Sequence, residues 1–134
     1  MSTNQNIIDR AAFELGYHES GSTMGATDAG DSLVDLNNMM AQWRVSGRDL
    51  NWFPQDDLAE VCPIPDWAER GVISNLAVSL GAVFTIPVKD ELAVKAQDGG
   101  NAITRTLFNL NLKQADMTHM PQGRDSGRNI LTDS

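Results

Sequence analysis

Carboxylates dominate the chemistry available to this chain, which carries eighteen Asp and Glu against two histidines and one cysteine. Asp28, Asp31 and Asp35 are spaced three and four apart, so a helix would set them along one side. Hard cations take several carboxylate oxygens, and the trio is a conceivable metal site. Acids at a helix start also complement its positive dipole end without any metal, and that reading is preferred. Glu60, Asp66 and Glu69 form a second acidic group near Trp67. A glycosidase needs two carboxylates roughly 5 to 9 Å apart across a sugar, but any acidic chain offers many such pairs. Asp66 and Glu69 are read instead as first-turn acids of a helix. His18 and His119 lie near no nucleophile motif, and both are expected to be ordinary exposed histidines. Cys62 precedes Pro63 and is expected to be a buried or half-buried structural thiol. Gly21, Gly25 and Gly30 follow no strand, so they form no phosphate loop. The sequence therefore assigns no catalytic residue, no metal and no cofactor.

The charge balance says more about partners. Ten basic residues leave a formal net charge of -8. Phosphate grip needs clustered Lys and Arg, and here they are scattered. Arg44 and Arg48 stand one helical turn apart, Arg105 is isolated, and Arg124 and Arg128 lie near the C-terminus. No aromatic stacking pattern accompanies them, so they read as contacts for acidic proteins. An acidic channel wall would let DNA slide past without holding it. Met1 to Asn6 is polar and unlike a signal peptide, and no run nears the roughly 18 apolar residues of a membrane span. With Cys62 alone, no disulfide or cysteine zinc site forms within one chain. A reducing, aqueous compartment is expected.

The elements that must position these residues are helical. With 134 residues, 41% of them hydrophobic, one domain with a real core is expected. Ile7, Ile8, Ala11, Ala12 and Leu15 predict a helix over about residues 4–15, capped by Thr3 or Asn4 and stopped by Gly16. Leu33, Leu36, Met39, Met40 and Trp43 predict a second over 28–46, with Thr27 as N-cap and Gly47 as the break. Gly30 in its first turn is mildly unfavourable. Residues 48–65 lack a helical period and read as a long ordered connection, with one short helical turn near 56–60. Its Trp52 and Phe53 either plug the chain's own core or anchor a neighbour. A third helix is expected over 66–84, led by Pro65, with Gly71 and Gly81 permitting close approach of another backbone. A fourth is expected from Pro87 to about Gln114. Its seam is Leu92, Ala96, Gly99, Ile103, Leu107 and Leu110, with Gly99-Gly100 either a kink or a break. The fold class is thus all-α: a small bundle of about four helices in a core over 1–114. An extended polar C-terminal arm over 115–134 is expected to order on a partner.

Several short motifs fall in an order that resembles one family. Leu15-Gly16 ends the first helix, and Leu36-Asn37-Asn38-Met39-Met40-Ala41-Gln42-Trp43 followed by Gly47 ends the second. Asn75-Leu76-Ala77 lies in the third. Met120-Pro121-Gln122-Gly123 and Gly127-Arg128-Asn129 mark the tail. Over about residues 4–130 the arrangement resembles the tail accessory factors of short-tailed phages, the packaged-DNA stabilisation or head-completion proteins. The chain is shorter at its C-terminus than the better-known members.

The resemblance implies a non-enzymatic virion protein at the head-tail junction, made in the host cytoplasm. It implies a ring, typically of twelve copies, that docks on the portal protein, extends the DNA channel and stabilises packaged DNA. The ring would also offer a platform to tail nozzle or needle proteins, and would pass double-stranded DNA without specific binding. The portal-binding arm would comprise Met117, Met120, Pro121, Gly123, Arg124, Gly127, Arg128, Asn129, Ile130 and Leu131. Trp52, Phe53, Arg44 and Arg48 would face neighbouring subunits or the tail. The free protein is expected to be monomeric, since the sequence marks no strongly apolar patch. The alternative is a virion-associated hydrolase of cell-wall glycan, with Glu60, Asp66 and Glu69 as its carboxylates.

Overall fold

A computed structural model describes residues 2–19 and 21–119, with side chains through residue 113. Among the described residues the fold is all-α, with four helices and no strand. They are α1 (Asn4–Leu15), α2 (Ala26–Val45), α3 (Glu69–Val83) and α4 (Asp90–His119). A 3-10 turn, Asp66–Ala68, leads into α3. The chain divides into two compact units after Ile103.

In the first unit α1 packs chiefly on α3, and α2 lies against both. The core is the expected apolar set: Ile7, Ile8, Ala11, Ala12, Leu36, Met40, Leu76, Ala77 and Leu80 are all buried. Thr3 is the N-cap of α1, its hydroxyl accepting from the Asn6 N–H at 3.2 Å. Gly16 closes α1 in the left-handed region at φ 91°, where a side chain would be strained. α2 begins two residues before the expected start, with Gly25 at its N-cap in place of Thr27. Asp28 stands in its first turn as the dipole favours.

The connection 48–65 is an ordered strap held by amide groups. The first α1 donors need partners outside the helix. The Asn4 N–H donates to the Glu60 carbonyl and the Gln5 N–H to the Leu58 carbonyl, both at 2.9 Å. The Cys62 N–H donates to the Ser2 carbonyl at 2.8 Å, closing an antiparallel bridge between Thr3 and Val61. On the other flank, Asn37 of α2 grips Gln55 at two points. Its Nδ2 donates to the Gln55 carbonyl at 2.8 Å, and its Oδ1 accepts from the Gln55 N–H at 2.9 Å. The same Oδ1 accepts from the Trp52 indole at 3.1 Å. Buried Asn4 donates Nδ2 to the Gln55 Oε1 at 3.0 Å and to the Asp57 carbonyl at 2.9 Å. Residues 56–60 hold only a turn, because their backbone groups serve α1 instead of a helix.

α3 meets α4 at glycine. A Cβ on Gly99 would lie 2.8 Å from the Gly71 Cα. A Cβ on Gly71 would lie 2.6 Å from the Ile103 Cδ1 and 2.8 Å from the Gly99 carbonyl oxygen. Asn75 seals the crossing by donating to the Gly71 carbonyl at 2.7 Å and the Ala96 carbonyl at 2.9 Å. Gly99-Gly100 therefore does not break α4, which is continuous from Asp90 to His119. The helix starts after Pro87 and Lys89 rather than at Pro87, with Asp90 and Glu91 in its first turn. It runs five residues past Gln114, consistent with the lack of Gly or Pro before Pro121.

Two glycine variants should move in opposite directions. Gly99→Ala is expected to lower stability by about 1–3 kcal/mol, since backbone cannot rotate away from the new methyl. Gly30→Ala meets nothing within 4 Å and should gain up to about 1 kcal/mol of helix propensity. Denaturant titration of both against the parent chain checks the pair. Asn37→Ala strands the Gln55 peptide and should cost about 1–3 kcal/mol by the same measurement.

Candidate docking surface

The sequence-marked acids are dispersed among structural tasks. Asp28 accepts a hydrogen bond from the Tyr17 hydroxyl. Asp35 accepts from the Ser79 Oγ at 2.5 Å. Asp31 is exposed. The trio does not converge, and no metal-binding group of three His, Cys, Asp or Glu exists among the described residues. Tyr17 lies against Phe84 with ring centroids 5.0 Å apart. The bond to Asp28 raises the phenol above its ordinary pKa, with burial and the Asp28 charge adding to it. Glu69 accepts from the Ser2 Oγ at 2.8 Å, while Glu60 and Asp66 are exposed. The Glu60 backbone, not its carboxylate, does the structural work at α1.

Cys62 is buried in the strap as expected. Burial, reinforced by the Glu69 charge, pushes its thiol up to about 12 from an ordinary 9.0. His18 is half-buried rather than exposed, edge-on to Tyr17 with ring centroids 5.6 Å apart. It lines an open cleft of about 590 Å³ with Asn6, Asp9, Arg10, Phe13 and Thr23. The Asp9 Oδ1 there accepts from the Gln5 Nε2 at 2.8 Å and from the Met24 N–H at 3.0 Å, which ties it to the scaffold.

The four residues expected to face neighbours separate into two kinds. Trp52 is buried, with its indole on Asn37. Arg44 donates to the Trp52 carbonyl at 2.5 Å and pairs with Asp49 at 3.4 Å. Arg48 lies over Trp43, 5.1 Å from the ring centroid, and against Gly100. These three hold the start of the strap in place. Phe53 is 60% exposed, and Arg44 is exposed as well despite its bonds to the strap.

An apolar strip on α4 was only half visible in the sequence. The seam is buried at Leu92, Ala96 and Ile103. Beyond Ile103 it lacks cover: Leu107 is half-buried and Leu110 is 49% exposed. Phe108 and Leu112, off the seam, are 61% and 49% exposed. The signal for them is the density of large apolar residues in Leu107-Phe108-Asn109-Leu110-Asn111-Leu112, which puts apolar side chains on both sides of the helix. Arg105 and Lys113 are exposed and flank it. Met117 falls within the backbone of α4, and the remaining arm residues, Met120 to Leu131, lie outside the described residues.

No helix among the described residues is long and apolar enough to cross a membrane. Compared with known protein families and with curated proteins, the sequence matches none.

The raised thiol gives a pH prediction. The folded Cys62 titrates near 12 and the unfolded thiol near 9.0. Its contribution to stability is full below pH 9 and is lost as pH rises toward 12, because only the unfolded state ionises there. Tyr17 shifts in the same direction. The denaturant midpoint should fall through this alkaline window. At about pH 8 a thiol reagent should label Cys62 in denaturant and leave the folded chain unlabelled.

Proposed function

We propose that this chain is one subunit of a ring-shaped head-to-tail adaptor of a short-tailed phage particle. The ring docks on the portal protein, extends the DNA channel, stabilises packaged DNA and offers a platform for nozzle or needle proteins. The observation that carries the reading is the C-terminal unit: a helix whose Phe108, Leu110 and Leu112 are exposed, leading into the proposed arm. Large apolar residues left exposed on a helix mark surfaces that another protein covers. The small helical body and the order of its short motifs support the same reading. So does the net charge of -8, which would let DNA pass a channel wall without adhering.

In this reading the arm from 115 onward lies along the portal, with Met117, Met120, Ile130 and Leu131 as its apolar contacts. Of Trp52, Phe53, Arg44 and Arg48, exposed Phe53 and Arg44 would touch a neighbour or a tail protein. Repetition around a ring lets each contact be weak while the whole is firm.

The test is capture of purified portal rings. The full chain is expected to decorate them, seen by negative-stain imaging. A chain ending at Gln114 should stay folded by circular dichroism and lose most of the decoration. Undiminished decoration by the shortened chain would show that the arm is not the docking element.

A further inference from the structure

The cleft of about 590 Å³ beside α1 lies wholly within the first unit and does not depend on the adaptor reading. Its volume falls in the range of small-molecule sites. One wall is a single face of α1, since Asn6, Arg10 and Phe13 are spaced four and three apart. The other wall is His18 with residues 21–23 of the loop. That loop is pinned at both ends. The Tyr17 hydroxyl donates to Asp28, and the Met24 N–H donates to the Asp9 Oδ1 at 3.0 Å. The cleft is therefore built before any ligand arrives, and binding carries little cost of ordering it.

Two opposite charges line the cleft without pairing. Asp9 is half-buried and uses Oδ1 for the Gln5 Nε2 and the Met24 N–H, while its Oδ2 has no partner among the described residues. Arg10 is exposed and has neither a hydrogen bond nor an ion pair among the described residues. Phe13 is 48% exposed and lies one helical turn beyond both. A simple anion is repelled here by Asp9 and by the net charge of -8, and a simple cation by Arg10. A ligand that carries both charges, with an apolar group beside them, suits all three residues at once.

We propose that the cleft binds a zwitterionic α-amino acid with an aromatic or large apolar side chain. The ligand's ammonium donates to the Asp9 Oδ2. Its carboxylate accepts from the Arg10 guanidinium, a planar fork suited to two parallel bonds. Its side chain lies on the Phe13 ring. The bonds from Gln5 and Met24 hold the Asp9 carboxylate in place and so fix where the ammonium sits. The cleft is open, which leaves the charges partly in water and the affinity modest, with a Kd on the order of 1 mM.

Titration of the full chain with L-phenylalanine, followed by backbone amide chemical shifts, tests it. Saturable shifts should appear at residues 6–13 and 21–23. N-acetyl-L-phenylalanine lacks the ammonium and L-phenylalaninamide lacks the carboxylate, and each should bind about tenfold or more weakly. The net charge of -8 attracts the amide, so its weaker binding singles out Arg10. Arg10→Gln should weaken L-phenylalanine by about tenfold and leave the amide no weaker than before. Asp9→Asn, which keeps an acceptor for the Met24 N–H, should likewise weaken L-phenylalanine and spare the N-acetyl analogue. Arg10 has no partner to lose, so its variant should keep the parent circular dichroism. Shifts that do not saturate by about tenfold above that Kd overturn the proposal. So do analogues that bind as tightly as the zwitterion, or an Arg10→Gln chain that binds L-phenylalanine like the parent.

Discussion

A strap of eighteen non-helical residues can lie on a small helical body only if its peptide groups find partners there. Helix termini and side-chain amides are the natural partners, and this chain uses both. The free donors at the start of α1 take the Glu60 and Leu58 carbonyls, and Asn37 takes both polar groups of the Gln55 peptide. The bonds fix the strap in register, since a one-residue slip would present the wrong peptide to Asn37. With the register set, Trp52, Ile64 and Cys62 reach the core and Phe53 is left outside. The strap thus joins α2 to α3 and also caps α1. Asn4 Oδ1 is the one strap-facing side-chain atom that stays buried without a partner among the described residues.

The second constraint is steric. α4 reaches the body because Gly71 and Gly99 leave no side chain between two backbones. That approach brings the Ala96 carbonyl within reach of Asn75 and seats Ile103 in the core. It also determines where the body ends. Past Ile103 the apolar seam continues in the sequence, but the chain offers its side chains no comparable burial. The apolar residues of α4 are thus buried up to Ile103 and largely exposed after it.

Much of the fold was legible because periodicity and punctuation agree. The α1 face of Ile7, Ile8, Ala11, Ala12 and Leu15, with Thr3 before it and Gly16 after, is local information, and the element follows it closely. The glycines of α3 were read as close-approach positions, and Gly71 is one. The strap was legible only as ordered and non-helical. Its partners are some fifty residues away in α1, a distance no local pattern spans. The split between Trp52 and Phe53 depended on that same long-range register. His18 was misjudged for a similar reason, since the loop folds it against Tyr17. The exposed residues of α4 are not legible from the seam spacing, which marks only one face of the helix. The extra Phe108 and Leu112 beside it carry the information that the helix has a second apolar face.

Those two faces bear on function through a simple argument. Most helical stability in water comes from packing one face, not from intrinsic propensity. A helical segment whose Phe108, Leu110 and Leu112 are exposed forgoes that packing unless another surface supplies it. The cost of exposure would be borne without return in a protein that works alone. The charge is divided unevenly along the chain, with six basic and fifteen acidic residues over 1–103 against four basic and three acidic over 104–134. An apolar contact gives affinity without direction, and the charge asymmetry gives it direction.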